Sequence, residues 1–139
     1  MDSLQTTALA VDAALFSLIW IVQTVVYPSF VHIEAASFKS WHRGYTQRMG
    51  YIVAPLMIAQ LGLSLSLLAS QSSFQNGLHA CGAAATWLVT FLVSVPLHRH
   101  LERQGNQQNT IRKLVLSNWI RTTLWTLLFA QSLVRHYQA

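Results

Sequence analysis

The stretch LSNWIRTTLWTLLF, Leu116 to Phe129, holds the residues best suited to chemistry: Asn118, Arg121 and Trp125. On a helix, at about 100° per residue, these three and Thr122 share one face roughly 100° wide. Arg121 with Asn118 can hold a carboxylate, a propionate or an enolate, because a guanidinium presents charged donors in a fixed fork. Polar groups recur at a matching level elsewhere in the chain. Gln23 and Tyr27 are one helical turn apart, just before Pro28. His42 follows in the next connection, and His98 follows Pro96 in VPLHRHL. His42 and His98 have the chemistry of proton carriers, metal ligands or haem ligands. Arg121, Asn118, His98 and His42 are therefore the candidate catalytic residues. Tyr27, Gln23, Trp119 and Trp125 are the candidate ligand- or cofactor-binding residues, with haem one candidate cofactor.

The elements that must position these residues follow from composition. Charged residues are 9% of the 139-residue chain, against about 25% in soluble domains. Four apolar runs are long enough for the roughly 20 residues that cross a bilayer: about 8–27, 51–69, 78–97 and 114–134. The expected fold is all-α: one domain over 1–139, an integral membrane four-helix up-and-down bundle. The segment SFVHIEAASFKSWHRGYTQRMG places Phe38, Trp41 and Tyr45 on one helical face. It reads as an interfacial helix between spans one and two, or as an extension of span two. Pro28 and Pro96 sit where spans one and three end, and Pro55 inside span two is a candidate kink.

Charge sets the orientation. Lys39, Arg43 and Arg48 lie between spans one and two, and Arg99, Arg103, Arg112 and Lys113 between spans three and four. The other connection has no basic residue. The N-terminal stretch has none either and carries Asp2 and Asp12. The positive-inside rule makes the two basic connections cytoplasmic and puts both termini on the opposite side, as in a bacterial inner-membrane protein. MDSLQTTALAVD lacks the basic n-region of a cleaved signal peptide, so the first run is expected to remain as a span. The net charge of +5 needs only anionic head groups as partners, and no nucleic acid. Asp12 is expected to cap the outer interface, His79 and His136 to lie in that interface, and His100 to be exposed. Gln60, in the middle of span two, is placed to extend the polar pocket.

Many reaction classes leave no trace. There is no HExxH, no CxxC, no glycine-rich phosphate loop and no His/carboxylate cluster for a metal. Cys81 is the sole cysteine, which excludes an internal disulfide and a Cys-based metal cluster.

In order along the chain, QTVVYPSF, FKSWHRGYTQRMGYIVAPLM, VPLHRHL and NWIRTTLW resemble the small four-helix membrane proteins grouped with the anthrone oxygenases. The resemblance covers most of the sequence. It implies oxygenation of a hydrophobic aromatic or quinone-like substrate without an evident metal cofactor. It also implies a shared site region of Tyr27, Pro28, His42, Pro96, His98, Asn118, Trp119 and Arg121. The family pattern often carries Asn two residues after the proline that closes span three; here that residue is His98. A weaker similarity, to the bacterial four-helix haem-binding protoporphyrinogen oxidase, carries over no ligands. Three expectations stand side by side. The chain is a membrane oxidoreductase or oxygenase, a module that holds haem or a lipid-like small molecule without turnover, or a structural subunit of a complex or homo-oligomer.

Overall fold

The computed structural model describes residues 3–138, so Asp2 lies outside the described residues. Four helices make up nearly all of it: α1 Ser3–His32, α2 Ala35–Ser70, α3 Phe74–Gln104 and α4 Gln108–Gln138. Each runs well beyond the apolar stretch that marks it in the sequence. Short connections make consecutive helices antiparallel. Helix α1 packs on α2 and α4, and α3 packs on the same two, so the four enclose one core. Leu15 and Ile19 of α1, Met57 of α2, Leu101 of α3 and Leu114 and Leu128 of α4 fill it.

The polarity of this bundle is inverted relative to a water-soluble one. Trp20, Ile52, Ile58, Leu88, Leu92 and Leu127 are exposed, whereas Asp12, Gln23, His42, His79, Asn118 and Arg121 are buried. A soluble protein places those classes the other way round. Three helices, α1, α2 and α3, are long and apolar enough to cross a membrane. Helix α4, expected as the fourth span, is not among them, because Asn118, Arg121 and Gln131 lower its mean hydropathy.

Of the two expectations for the segment before span two, the extension of that span holds and the separate interfacial helix does not. Residues 35–50 continue into span two as one 36-residue helix, unbroken through Pro55. Nothing in that segment interrupts the ladder, and Phe38 and His42 are buried on its inner face. Local deformation occurs elsewhere. A π-helical turn at Val22–Val26 precedes Pro28, and another at Thr90–Ser94 precedes Pro96. Each ends two residues before its proline. A proline ring cannot donate to the carbonyl four residues back, and widening the preceding turn is one way to accommodate that. The widened turns carry Gln23 and Ser94, both buried.

The two basic connections are tied together. Asn106 Nδ2 donates to the Ile33 carbonyl at 2.8 Å. Gly105 beside it ends α3 at φ 85°, ψ −155°, a region open essentially to glycine alone, and an added Cβ would meet Lys39 Cε at 3.3 Å. Gly105→Ala should therefore cost about 1–3 kcal/mol, read as a lower midpoint in thermal unfolding of the purified protein. Gly62→Ala, where nothing lies within 4 Å of an added Cβ, should leave stability unchanged or raise it.

Candidate functional site

Helix α4 brings Asn118, Arg121, Thr122 and Trp125 to the bundle interior, and all four are buried. The widened turn in α1 delivers Gln23 to them. Gln23 Oε1 accepts from Asn118 Nδ2 at 2.9 Å and from Thr122 Oγ1 at 3.3 Å, while Gln23 Nε2 donates to the Val115 carbonyl at 3.1 Å. This leaves Asn118 Oδ1 to face Arg121 Nη1 at 3.4 Å, and the same Nη1 donates to Ser94 Oγ at 3.2 Å. The guanidinium also lies over the Trp125 ring, 4.9 Å from its centroid. Trp125 Nε1 donates to Gln60 Oε1 at 3.0 Å. Gln60 thus supports the site from behind rather than lining it.

Arg121 is buried without a full set of partners. Among the described residues no carboxylate pairs with it, and its Nε is buried with no acceptor. It lines a cavity of about 310 Å³ whose walls include Tyr45, Ser94, His98 and Glu102. An unneutralised cation away from water is costly, and the same cavity wall also carries Glu102 and Arg99.

A hydrogen-bonded series runs from the neighbourhood of Arg121 toward the basic end of the bundle. Tyr27 Oη and His98 Nε2 are 3.0 Å apart, and His98 Nδ1 and His42 Nε2 are 3.0 Å apart. His42 Nδ1 then faces Glu102 Oε1 at 4.0 Å, and Glu102 is the partly exposed member at 29%. Thr46 Oγ1 donates to Glu102 Oε1 at 2.8 Å. A carboxylate beside His42 Nδ1 favours a proton on that nitrogen. His42 Nε2 must then accept from His98 Nδ1–H, and His98 Nε2 from the Tyr27 hydroxyl. Donors and acceptors are then aligned from Tyr27 through His98 to His42, where the hydrogen bonds end, because His42 Nδ1 is buried with no partner within bonding distance. The rings are packed: Phe38 stacks on His42, with centroids 5.4 Å apart, and Phe30 meets it edge-on at 5.5 Å.

These contacts bear on haem. Both ring nitrogens of His98 are engaged, and His42 is fully buried under Phe38 and Phe30. The two histidines bond directly to each other and leave no room for iron between them. The pair as placed does not form a haem site. Among the described residues no three His, Cys, Asp or Glu side chains gather to hold a metal ion.

Seven of the eight candidate residues meet in this region. Trp119 does not: it is 45% exposed and stands edge-on to Trp20 on the outer surface, with centroids 5.8 Å apart. One residue from Asn118 is about 100° around the helix, which turns Trp119 away from the cavity. Ser94 and Glu102 were not singled out by sequence reasoning. They lie one turn before and one turn after His98, a spacing that does mark one helix face. His100 is exposed, as expected. Two other expectations fail. Asp12 and His79 are both 1% exposed and bond to each other inside the bundle, not at its rim. A larger groove, about 470 Å³, lies between α3 and α4 near the termini. Its walls are mainly Leu, Phe and Val, with Gln75, Gln131 and Arg135 the polar residues among them.

No family model, curated protein or solved structure matches this chain.

Gln23→Leu would strand Asn118 Nδ2 in the interior. It should cost about 1–3 kcal/mol, measured by denaturant or thermal unfolding. Trp119→Phe, on the outer face, should change stability by no more than about 0.5 kcal/mol.

Proposed function

We propose that the chain is a four-span integral membrane protein whose Arg121 cavity binds a hydrophobic small molecule carrying an acidic oxygen. A phenolic aromatic or quinone-like compound fits that description. The observation that carries this reading is Arg121, a buried cation whose Nε has no partner and which lines a cavity together with His98. A phenolate or enolate oxygen would complete the guanidinium's bonding and neutralise its charge.

The inverted polarity supports insertion into lipid, since the exposed apolar surface then meets an apolar solvent. Helix α4 fits as the fourth span because its polar residues face the core rather than lipid. Lys39, Arg43, Arg48, Arg99, Arg103, Arg112 and Lys113 gather at the end of the bundle that carries Glu102. In this reading that end is cytoplasmic, in a bacterial inner membrane, and both termini lie on the other side. The cavity then sits in the cytoplasmic half of the bilayer, where membrane-soluble compounds collect.

The chemistry that these residues offer is removal of a proton and stabilisation of the resulting anion. Arg121 holds the developing oxyanion. The hydrogen-bonded Tyr27–His98–His42 series supplies the groups that would take up the proton, and the partly exposed Glu102 carboxylate stands 4.0 Å beyond His42 Nδ1. A phenolate or enolate is the electron-rich form that an oxidant attacks. The likeness to the anthrone-oxygenase group favours an oxidoreductase or oxygenase over a binding module for the same reason.

The test is mass spectrometry of lipophilic compounds retained by the protein purified in mild detergent. The expected result is an acidic aromatic or quinone-like compound bound to the wild type and lost from Arg121→Leu, with folded yield unchanged. If Arg121→Leu fails to accumulate and Arg121→Lys restores it, Arg121 is a structural clamp and the reading is wrong. Where turnover is measured, His98→Ala should slow it by about 10²–10⁴-fold.

A further inference from the structure

The other half of the bundle holds a second buried polar cluster, which the proposed function does not use. Asp12 of α1 and His79 of α3 are its ionisable centre, with His79 Nε2 3.0 Å from Asp12 Oδ2. Helix α2 contributes Gln60 and Ser64, and α4 contributes Ser132 and Arg135. Gln60 Nε2 donates to Asp12 Oδ1 at 2.6 Å. Arg135 Nη1 donates to Asn76 Oδ1 and Nη2 to Ser132 Oγ, at 3.0 and 3.3 Å. Among the described residues, Arg135 is the only other charged group bonded into the cluster, and α2 brings none.

Counting hydrogens decides the protonation of the pair. Each serine hydroxyl has one hydrogen to give. Ser64 spends its hydrogen on the Gln60 carbonyl at 2.6 Å, so its contact with His79 Nδ1 at 2.9 Å must be an N–H donated by the imidazole. Ser132 spends its hydrogen on Asp12 Oδ2 at 2.5 Å, so it cannot donate to His79 Nε2 at 3.3 Å. With Nδ1 already protonated, a neutral His79 would turn a bare Nε2 lone pair toward a carboxylate oxygen. Two acceptors facing each other in a site 1% exposed repel, and no water reaches them to intervene.

We propose that Asp12 and His79 form a buried proton-binding site that holds, in addition to the proton on His79 Nδ1, a second proton on the line between Oδ2 and Nε2. With that proton the pair is neutral overall, as a carboxylate with an imidazolium or as a carboxylic acid with an imidazole. Without it the pair would carry one net negative charge, and Arg135, bonded to Asn76 and Ser132, is the cation that shares the cluster. The site binds a proton and nothing larger. Ser64 stands next to an imidazole and a carboxylate, but it is 1% exposed and its hydrogen is committed, so it is no nucleophile. Gln60 and Trp125 stand between this site and the Arg121 cavity and link the two: Gln60 Nε2 donates to Asp12 Oδ1 and its Oε1 accepts from Trp125 Nε1.

The experiment is nuclear magnetic resonance of the full chain, labelled with ¹⁵N-histidine, in lipid vesicles at neutral pH, with infrared difference spectra against Asp12→Asn. His79→Gln identifies the His79 signals by their loss. The expected result is one of two signatures. Either His79 shows both ring N–H signals, or it shows Nδ1–H alone together with a protonated carboxyl band that disappears in Asp12→Asn. In Asp12→Asn the pair's proton should be lost, leaving a neutral His79 with one N–H. The proposal is overturned if wild-type His79 carries its only proton on Nε2 and no protonated carboxyl band is present. If Asp12→Asn does not fold, the wild-type nitrogen signals alone still decide.

Discussion

A buried guanidinium without a counter-ion is the constraint around which this bundle is organised. Arg121 is 6% exposed, and the groups that satisfy it come from three helices: Ser94 from α3, Asn118 and Trp125 from α4, and Gln23 from α1 acting through Asn118. Each of these groups also has other bonds to make. Gln23 fixes the amide of Asn118, and Gln60 fixes the indole of Trp125, so the orientation of the cation depends on all four helices. In a medium that offers no water, such a network holds only if each member is satisfied. The exception is Arg121 Nε, in a residue that also lines the cavity.

The deformations in α1 and α3 belong to the same arrangement. Without a widened turn, a proline two residues further on would leave a carbonyl stranded in the helix ladder. The two turns answer that need, and they also carry Gln23 and Ser94, the residues that reach Arg121 from either side. Polar side chains in the second cluster play a comparable role at the other end, where Asp12 receives donors from the remaining three helices. The bundle is therefore pinned at two levels by polar contacts, while its exposed surface remains apolar.

Much of this was legible in the sequence because it depends on local periodicity. The shared face of Asn118, Arg121, Thr122 and Trp125 follows from helical spacing alone, as do the four helices. Trp119 shows where a motif misleads: the resemblance carried by NWIRTTLW placed it in the site region, whereas one residue's rotation from Asn118 puts it on the outer surface. Asp12 and His79 show a second limit. Their partners lie far apart in sequence, 67 residues in the case of this pair. Position near a helix end suggested an interface, and only tertiary packing reveals that helices extended beyond their apolar stretches bury both. The same extension merged the expected interfacial helix with α2.

The account turns on what occupies the cavity beside Arg121. The most direct measurement is a cryo-electron microscopy structure of the protein purified from its native membrane into lipid nanodiscs, at a resolution that shows side chains. The account predicts density for a small molecule between Arg121, His98 and Tyr45, with an oxygen about 3 Å from Arg121 Nε. A structure in which that nitrogen is satisfied by a carboxylate of another protein chain, with the cavity filled by side chains, would contradict it.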